Sequence, residues 1–214
     1  MKRQQGFTLV EIAIVLVIIG LILGGILKGQ ELIDSARVRS ISNDISGIRT
    51  GWYAFQDRYN GLPGDFSRAE AQIGNSTSDG DGNGRVDTAI EVGGVWEHLA
   101  DSGFISGDFG GEEQSIDDVL CDTESCPSNP FNGFYKISYG ERIPGDASDA
   151  NEFFTGDQIP VSIMLQLDNK LDDGVADDGE MRSHDDTDIN CRSGSDWNLS
   201  GTGVDSCAAV IRGF

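Results

Sequence analysis

Phe7-Thr8-Leu9-Val10-Glu11-Ile12-Ala13-Ile14-Val15-Leu16-Val17-Ile18-Ile19-Gly20-Leu21-Ile22-Leu23-Gly24-Gly25-Ile26-Leu27 is the stretch on which the reading of this chain turns. Apart from Thr8 and Glu11, every residue in it is apolar or glycine. As an α-helix rising about 1.5 Å per residue, the run extends about 31 Å, close to the hydrocarbon thickness of a bilayer. Lys2 and Arg3 precede it, which puts the start of the chain in the cytoplasm and the bulk outside. A secretory signal peptide has a shorter apolar region, followed by a small-residue cleavage site. Here the cut fits before the apolar run, at Gly6, so the helix stays in the mature chain.

Glu11 lies inside the apolar run, where an ionisable group is costly and ordinarily has a partner. Taken alone, it also reads as a side chain snorkelling to the nearby interface. Taken together, Gly6-Phe7-Thr8-Leu9-Val10-Glu11 behind a short basic leader resembles the processing site of the type IV pilins, a family that includes the pseudopilins of type II secretion. The resemblance is specific over residues 1–30. It implies that a prepilin peptidase cuts after Gly6 and methylates the new amino group of Phe7. It also implies that Glu11 pairs with the N-terminal amine of a neighbouring subunit. An unpaired amine and an unpaired carboxylate are both penalised among apolar helices, and an axially offset neighbour satisfies both. The implied partners are further copies of the chain in a helical filament, the peptidase, an inner-membrane assembly platform, and the membrane itself before assembly. The implied location is the inner membrane for the precursor, then an extracellular pilus or a periplasmic pseudopilus.

One departure stands out. Where many type IV pilins carry a Pro in the membrane helix, this chain has Lys28, and its first Pro is Pro63. Gly20, Gly24 and Gly25 either permit local melting of the helix or allow neighbouring helices to approach closely. Beyond the apolar run, Val38, Ile41, Ile45, Ile48, Trp52, Phe55 and Tyr59 are spaced alternately by 3 and 4, one stripe of a helix. The pattern predicts a helix over 7–60, membrane-spanning or filament-forming over 7–27 and amphipathic thereafter, ending at Asn60-Gly61. Its aromatic stripe suits packing against the chain's own sheet, the arrangement that the resemblance also implies.

The leader is thus 1–6 and the head 61–214. Within the head the sequence predicts a short helix over 95–100, a strand over 133–139 and a terminal strand over 208–214. A further helix is predicted with Asp157 as its cap, Pro160 in its first turn and Met164, Leu167 and Leu171 on its buried side. The expected fold class is α+β: a long N-terminal helix on a small antiparallel sheet with long loops. The charge is lopsided. Residues 1–60 hold 7 Lys/Arg against 5 Asp/Glu, and residues 61–214 hold 8 against 31. A head that acidic repels nucleic acid and anionic lipid.

Two acidic loops invite a chemical reading. In Asp79-Gly80-Asp81-Gly82-Asn83-Gly84-Arg85-Val86-Asp87, oxygen-bearing side chains alternate and are followed by Gly and an apolar residue, like the first half of an EF-hand loop. The expected Ca²⁺ ligands are Asp79, Asp81, Asn83, the Arg85 carbonyl and Asp87. The closing Glu is missing, because Ile90 stands there and Glu91 comes one residue later. A solvated Gly/Asp turn is the simpler alternative. The second loop, 168–179, lacks the alternation, and its Asp172-Asp173-Gly174 reads first as a helix end and turn; the alternative is a metal role, in which it would supply the carboxylate that the first loop lacks.

Four cysteines in an extracytoplasmic head suggest two disulfides, with three possible connectivities. The local pairing Cys121–Cys126 and Cys191–Cys207 closes two small loops, and the second pair also fits the family habit of stapling the last loop. Zinc held by Cys121 and Cys126 with His184 or His98 is the alternative. His98, beside Trp96, reads as structural and His184 as a surface residue. Asn75-Ser76-Thr77 and Asn198-Leu199-Ser200 match a glycosylation sequon. With no nucleotide loop and no nucleophile or hydrolase motif in the sequence, an enzyme is not expected. Three functions remain: a pilus subunit, which is preferred; a pseudopilin; and a monomeric binding domain on a membrane tether, which would need neither Gly6-Phe7 nor Glu11.

Overall fold

The computed structural model describes residues 9–74, 78–110, 125–140, 149–184, 191–200 and 206–214. One helix, α1, runs from Leu9 to Tyr59, as the merged apolar and amphipathic patterns predict. The chain divides into two compact units, Met1–Arg39 and Ser40–Phe214, which are described separately.

In the first unit, the described residues form the N-terminal part of α1. Its large apolar side chains lie open, from Leu9 at 90% exposure to Ile33 at 55%. Lys28 and Glu31 form a surface ion pair at 2.6 Å. Such a pair contributes little to stability.

In the second unit, the rest of α1 buries its stripe. Ile41, Trp52 and Phe55 are fully buried and Ile45 and Ile48 nearly so. Trp52 meets Phe214 edge-on, and Phe55 lies among Phe66, His98 and Phe104. The helix stops at Asn60, whose left-handed backbone (φ 55°) closes the last turn, its N–H bonded to the Gln56 carbonyl. A short helix α2 (Ala69–Gln72) and the longer α3 (Ala89–Asp101) follow. Then come β1 (Lys136–Tyr139), β2 (Asn151–Phe154), α4 (Val161–Leu171) and β3 (Met181–Ser183). The chain continues through β4 (Arg192–Ser193), β5 (Asp196–Trp197) and β6 (Ala209–Ile211).

The main sheet is antiparallel, in the order β1-β2-β6-β3. Ile137 sits opposite Phe153, and Phe153 opposite Ile211. Every residue of the central strands β2 and β6 is buried, as expected for strands covered on both faces. The α1 side of the sheet is aromatic, with Tyr135 against Phe153 and Phe153 stacked on Phe214. Tyr135 also donates its hydroxyl to Asp44 of α1 at 3.0 Å. The fold is thus the α+β arrangement expected from the sequence.

Several boundaries differ, each for a local reason. α3 starts at Ala89, not Val95, because Thr88 and Glu91 form a reciprocal capping box. α4 begins after Pro160 and has no side-chain cap from Asp157. Ile159 is first used in a bridge to Cys207, which holds the chain extended up to Pro160. Met164 and Leu167 are fully buried as expected, while Leu171 is half-buried. β1 starts at Lys136 because the preceding residues close a turn around Asn129, whose side-chain oxygen accepts the N–H groups of Phe131 and Gly133. The last strand stops at Ile211, after which the Arg212 N–H bonds the Glu180 carbonyl.

Because Trp52 anchors α1 to the aromatic face, Trp52→Ala is expected to destabilise the head by about 3–5 kcal/mol. Chemical denaturation of the full chain in detergent, followed by head fluorescence and circular dichroism, reads this directly.

Candidate functional site

Two regions carry the chemistry anticipated from the sequence: the apolar end of α1, and the acidic loop between α2 and α3. Gly6 and Phe7 lie outside the described residues. Glu11 is described, in the first turn of α1, and is exposed. It is the one acidic residue from Leu9 to Leu27. Around it, the side chains of Leu9, Val10, Ile12, Ile14 and Val15 are all between 48% and 90% exposed. Apart from the adjoining residues and the helix's own backbone, no described atom comes within 4 Å of where a Cβ would stand at Gly20, Gly24 or Gly25. Among the described residues, α1 is the one helix long and apolar enough to cross a membrane, and its most apolar 18-residue window is 0% buried by its own chain.

The acidic loop is organised around Asp65, a residue outside the predicted ligand set. Asp65 follows Pro63-Gly64 at the end of α1 and is 3% exposed. Its Oδ1 accepts the N–H groups of Gly82 and Asn83 at 2.7 and 3.0 Å, and its Oδ2 accepts that of Gly84 at 2.8 Å. Burial pushes its carboxyl above the ordinary carboxylate range, and the three N–H donors pull it part of the way back. Glu91 does the same work from the other side: its carboxylate accepts the N–H groups of Asp81, Asp87 and Thr88 at 3.0 to 3.1 Å. The loop therefore wraps two buried carboxylates with six backbone donors. Two glycines make this possible. A Cβ at Gly80 would lie 2.4 Å from the Asp65 backbone, and Gly84 holds a φ of 88°.

The predicted ligands fare differently. Asp81 is gathered with Asp65 and Glu91, their carboxylate oxygens all within 4.8 Å of one another. Asp79 instead accepts the Glu70 N–H of α2. Asn83 bonds Asp81 through its side-chain amide and accepts the Arg85 N–H. The Arg85 guanidinium lies 4.5 Å above the Tyr139 ring, and the Asp87 N–H goes to Glu91. So one of the four predicted side-chain ligands joins the carboxylate group, and Asp65 and Glu91 complete it. Thr88-x-x-Glu91 was legible as a capping box. Nothing in sequence spacing joins Asp65 to this loop.

His98 locks the same region from beneath. It is fully buried, its Nδ1 accepts the Gly64 N–H at 2.9 Å, and its Nε2 lies 2.7 Å from the Ser78 carbonyl. An acceptor at Nδ1 makes the ring neutral, with the proton on Nε2 donated to Ser78. Burial pushes its pKa below the ordinary value. A His with a lowered folded pKa stabilises the fold above the unfolded pKa, and that stability is lost as pH falls. His184, expected at the surface, is half-buried and edge-on to Phe154 at 4.8 Å.

Cys191 and Cys207 form a disulfide with their Cα atoms 5.7 Å apart, tying the β4-β5 hairpin to the start of β6. The Cys121–Cys126 pairing and the sequon at 75–77 lie outside the described residues, because Cys121 and residues 75–77 do. The Asn198 side-chain oxygen accepts the Ser200 N–H, closing a local turn.

Comparison with known families places one label on this geometry. Residues 1–27 match the model of the prokaryotic N-terminal methylation motif. That motif is the prepilin-type signal of type IV pilins and pseudopilins, so the chain carries the signal of a pilin-like or pseudopilin precursor, a structural class. The match covers the leader and the apolar part of α1. No curated protein and no solved structure matches the chain.

The Asp65 arrangement predicts a specific defect. Asp65→Asn keeps one acceptor oxygen and loses the other, leaving at least one loop N–H unsatisfied. Stability in a chelator-containing buffer is expected to drop by about 1–3 kcal/mol, measured by thermal unfolding of the full chain in detergent.

Proposed function

We propose that the chain is a structural subunit of a type IV pilus, cut after Gly6, methylated at Phe7 and polymerised through the apolar part of α1. The observation that carries this reading is the apolar window of α1, which is 0% buried among the described residues and which the methylation-motif match overlaps. An uncovered apolar helix of this length needs either lipid or other apolar helices around it. A filament precursor uses both in turn: lipid in the inner membrane, then neighbouring copies. Open flanks at Gly20, Gly24 and Gly25 suit close helix-to-helix approach.

In this reading Glu11 sets the register, as the partner of a neighbour's Phe7 amine. The acidic, disulfide-bonded head suits exposure outside the cell, where oxidised cysteines persist. A pseudopilin of a type II secretion system is the second reading. It is favoured by Lys28 standing where many pilins have Pro, and it would place the assembled chain in the periplasm. A calcium ion at the 79–87 loop would draw on Asp65, Asp81 and Glu91, sharing two of those carboxylates with the six backbone donors.

The test is filament yield. Glu11→Ala is expected to cut the sheared extracellular fraction at least tenfold, with the precursor still reaching the membrane in normal amount. Glu11→Ala filaments at wild-type yield would refute the registering role of Glu11. Wild-type chain retained in the periplasm would favour the pseudopilus instead.

A further inference from the structure

The second acidic loop separates its charges into two groups. Asp177, Asp178 and Glu180 each lie near an arginine: Arg192 at 3.6 Å, Arg182 at 3.5 Å and Arg49 at 3.9 Å. Asp168, Asp172 and Asp173 have no such partner among the described residues. Instead they face one another, with one carboxylate oxygen from each lying within 4.8 Å of the others. Two oxygens bound to one Ca²⁺ at about 2.4 Å are at most about 4.8 Å apart, so the cluster is compact enough for a shared ion.

Compactness alone would mark no site. Asp168 adds what the other acidic loop lacks. It sits on the buried face of α4 with Met164 and Leu167, at 0% exposure. Its Oδ2 accepts the indole N–H of Trp197 at 2.7 Å. Its Oδ1 is buried and makes no hydrogen bond of good geometry, although the Gly174 backbone N–H lies near the carboxylate. An ionised carboxylate with one oxygen left bare in the interior carries a heavy desolvation penalty. Here two further carboxylates stand beside it and add repulsion. Those two are each half used. Asp172 accepts the Met181 N–H through Oδ2, and Asp173 the Val175 N–H through Oδ1. Among the described residues no donor reaches their second oxygens. Asp65 and Glu91, by contrast, accept six backbone N–H groups through their carboxylates.

We propose that Asp168, Asp172 and Asp173 form a divalent-cation site for Ca²⁺, in which the bare Oδ1 of Asp168 is a ligand. All the donors are hard oxygens, with no imidazole or thiolate, which disfavours zinc. The three residues lie on one helix end and the turn that follows it. They give an adaptable set with room for water ligands, which suits Ca²⁺ better than Mg²⁺. Asp173 is exposed and Asp172 half-buried, so the ion has a path from solvent. Bound there, it would fix the end of α4 to the turn leading into β3. Through Trp197 it would also fix the β4-β5 hairpin, which the Cys191–Cys207 disulfide anchors from its other side. A few carboxylates completed by water fit an affinity in the range of about 0.1–1 mM, typical of extracellular calcium modules.

The test uses the full chain in detergent, stripped of metal with a chelator and dialysed. Calcium is titrated by calorimetry, and terbium by emission sensitised through tryptophan, since Trp197 touches the site. Asp173→Asn is the first variant, because the side chain is exposed and its Asn counterpart can still accept the Val175 N–H. It is expected to weaken Ca²⁺ binding about tenfold or more and to lose most of the terbium signal, while its melting temperature in chelator stays at the wild-type value. Asp81→Asn, in the other acidic loop, is expected to keep that signal. Absence of Ca²⁺ binding up to about 10 mM, far above the expected range, would overturn the proposal. So would Ca²⁺ binding unchanged in Asp173→Asn, or a terbium signal lost in Asp81→Asn and kept in Asp173→Asn.

Discussion

Water does not tolerate a helix such as Leu9–Leu27 left bare, and among the described residues its most apolar window is not buried. Side chains that fold inward elsewhere are here turned outward for some five turns of helix, interrupted by the carboxylate of Glu11. Burial of apolar surface is the dominant favourable term in folding and association, so something outside the subunit must supply it. Lipid and neighbouring copies are the two media that can. The prepilin-type signal at residues 1–27 belongs to chains that use both in succession. In the proposed filament, Glu11 would fall under the same constraint, because a carboxylate among apolar helices demands a partner and would select one axial offset from many.

The head solves a different problem. It has a modest core, much glycine and a large excess of acid. Many of its aromatic residues gather along α1, against the sheet at Trp52, Tyr135, Phe153 and Phe214 and against α3 and its flanks at Phe55, Phe66 and Phe104. Elsewhere it uses carboxylates as structural acceptors: Asp65 and Glu91 gather backbone N–H groups that would otherwise need a strand or a helix to satisfy them. Aspartate is well suited to this, since a short charged side chain can hold several amides at once. The acidity that keeps the domain soluble is therefore partly internal wiring. The neutral His98, wedged between Gly64 and Ser78, fixes the same loop from the core side.

Much of this was legible in the sequence because it rests on local periodicity. The apolar run and the stripe from Val38 to Tyr59 define α1 to within two residues at its end. The turn after Leu171 follows from Asp172-Asp173-Gly174, whereas the Cys191–Cys207 pair was one of three connectivities, preferred as the local one and by the resemblance. Long-range placement was not legible. Asp65 has no motif that links it to the 79–87 loop; only the folded path of the chain after Asn60 brings it there. Strands β2 and β3 are three or four residues long, too short to show alternation. α3 was read short because the apolar pattern was weighed and the Thr88–Glu91 capping box was not. The bare oxygen of Asp168 is a property of packing around Trp197, and no sequence pattern announces it.

The account rests on the apolar helix surviving into the mature chain and being buried by copies of itself. The most direct measurement is the intact mass of the subunit recovered from sheared extracellular filaments. The account predicts a chain that begins at Phe7 and carries one added methyl group. A chain absent from filaments, and found in membranes still carrying residues 1–6, would contradict it.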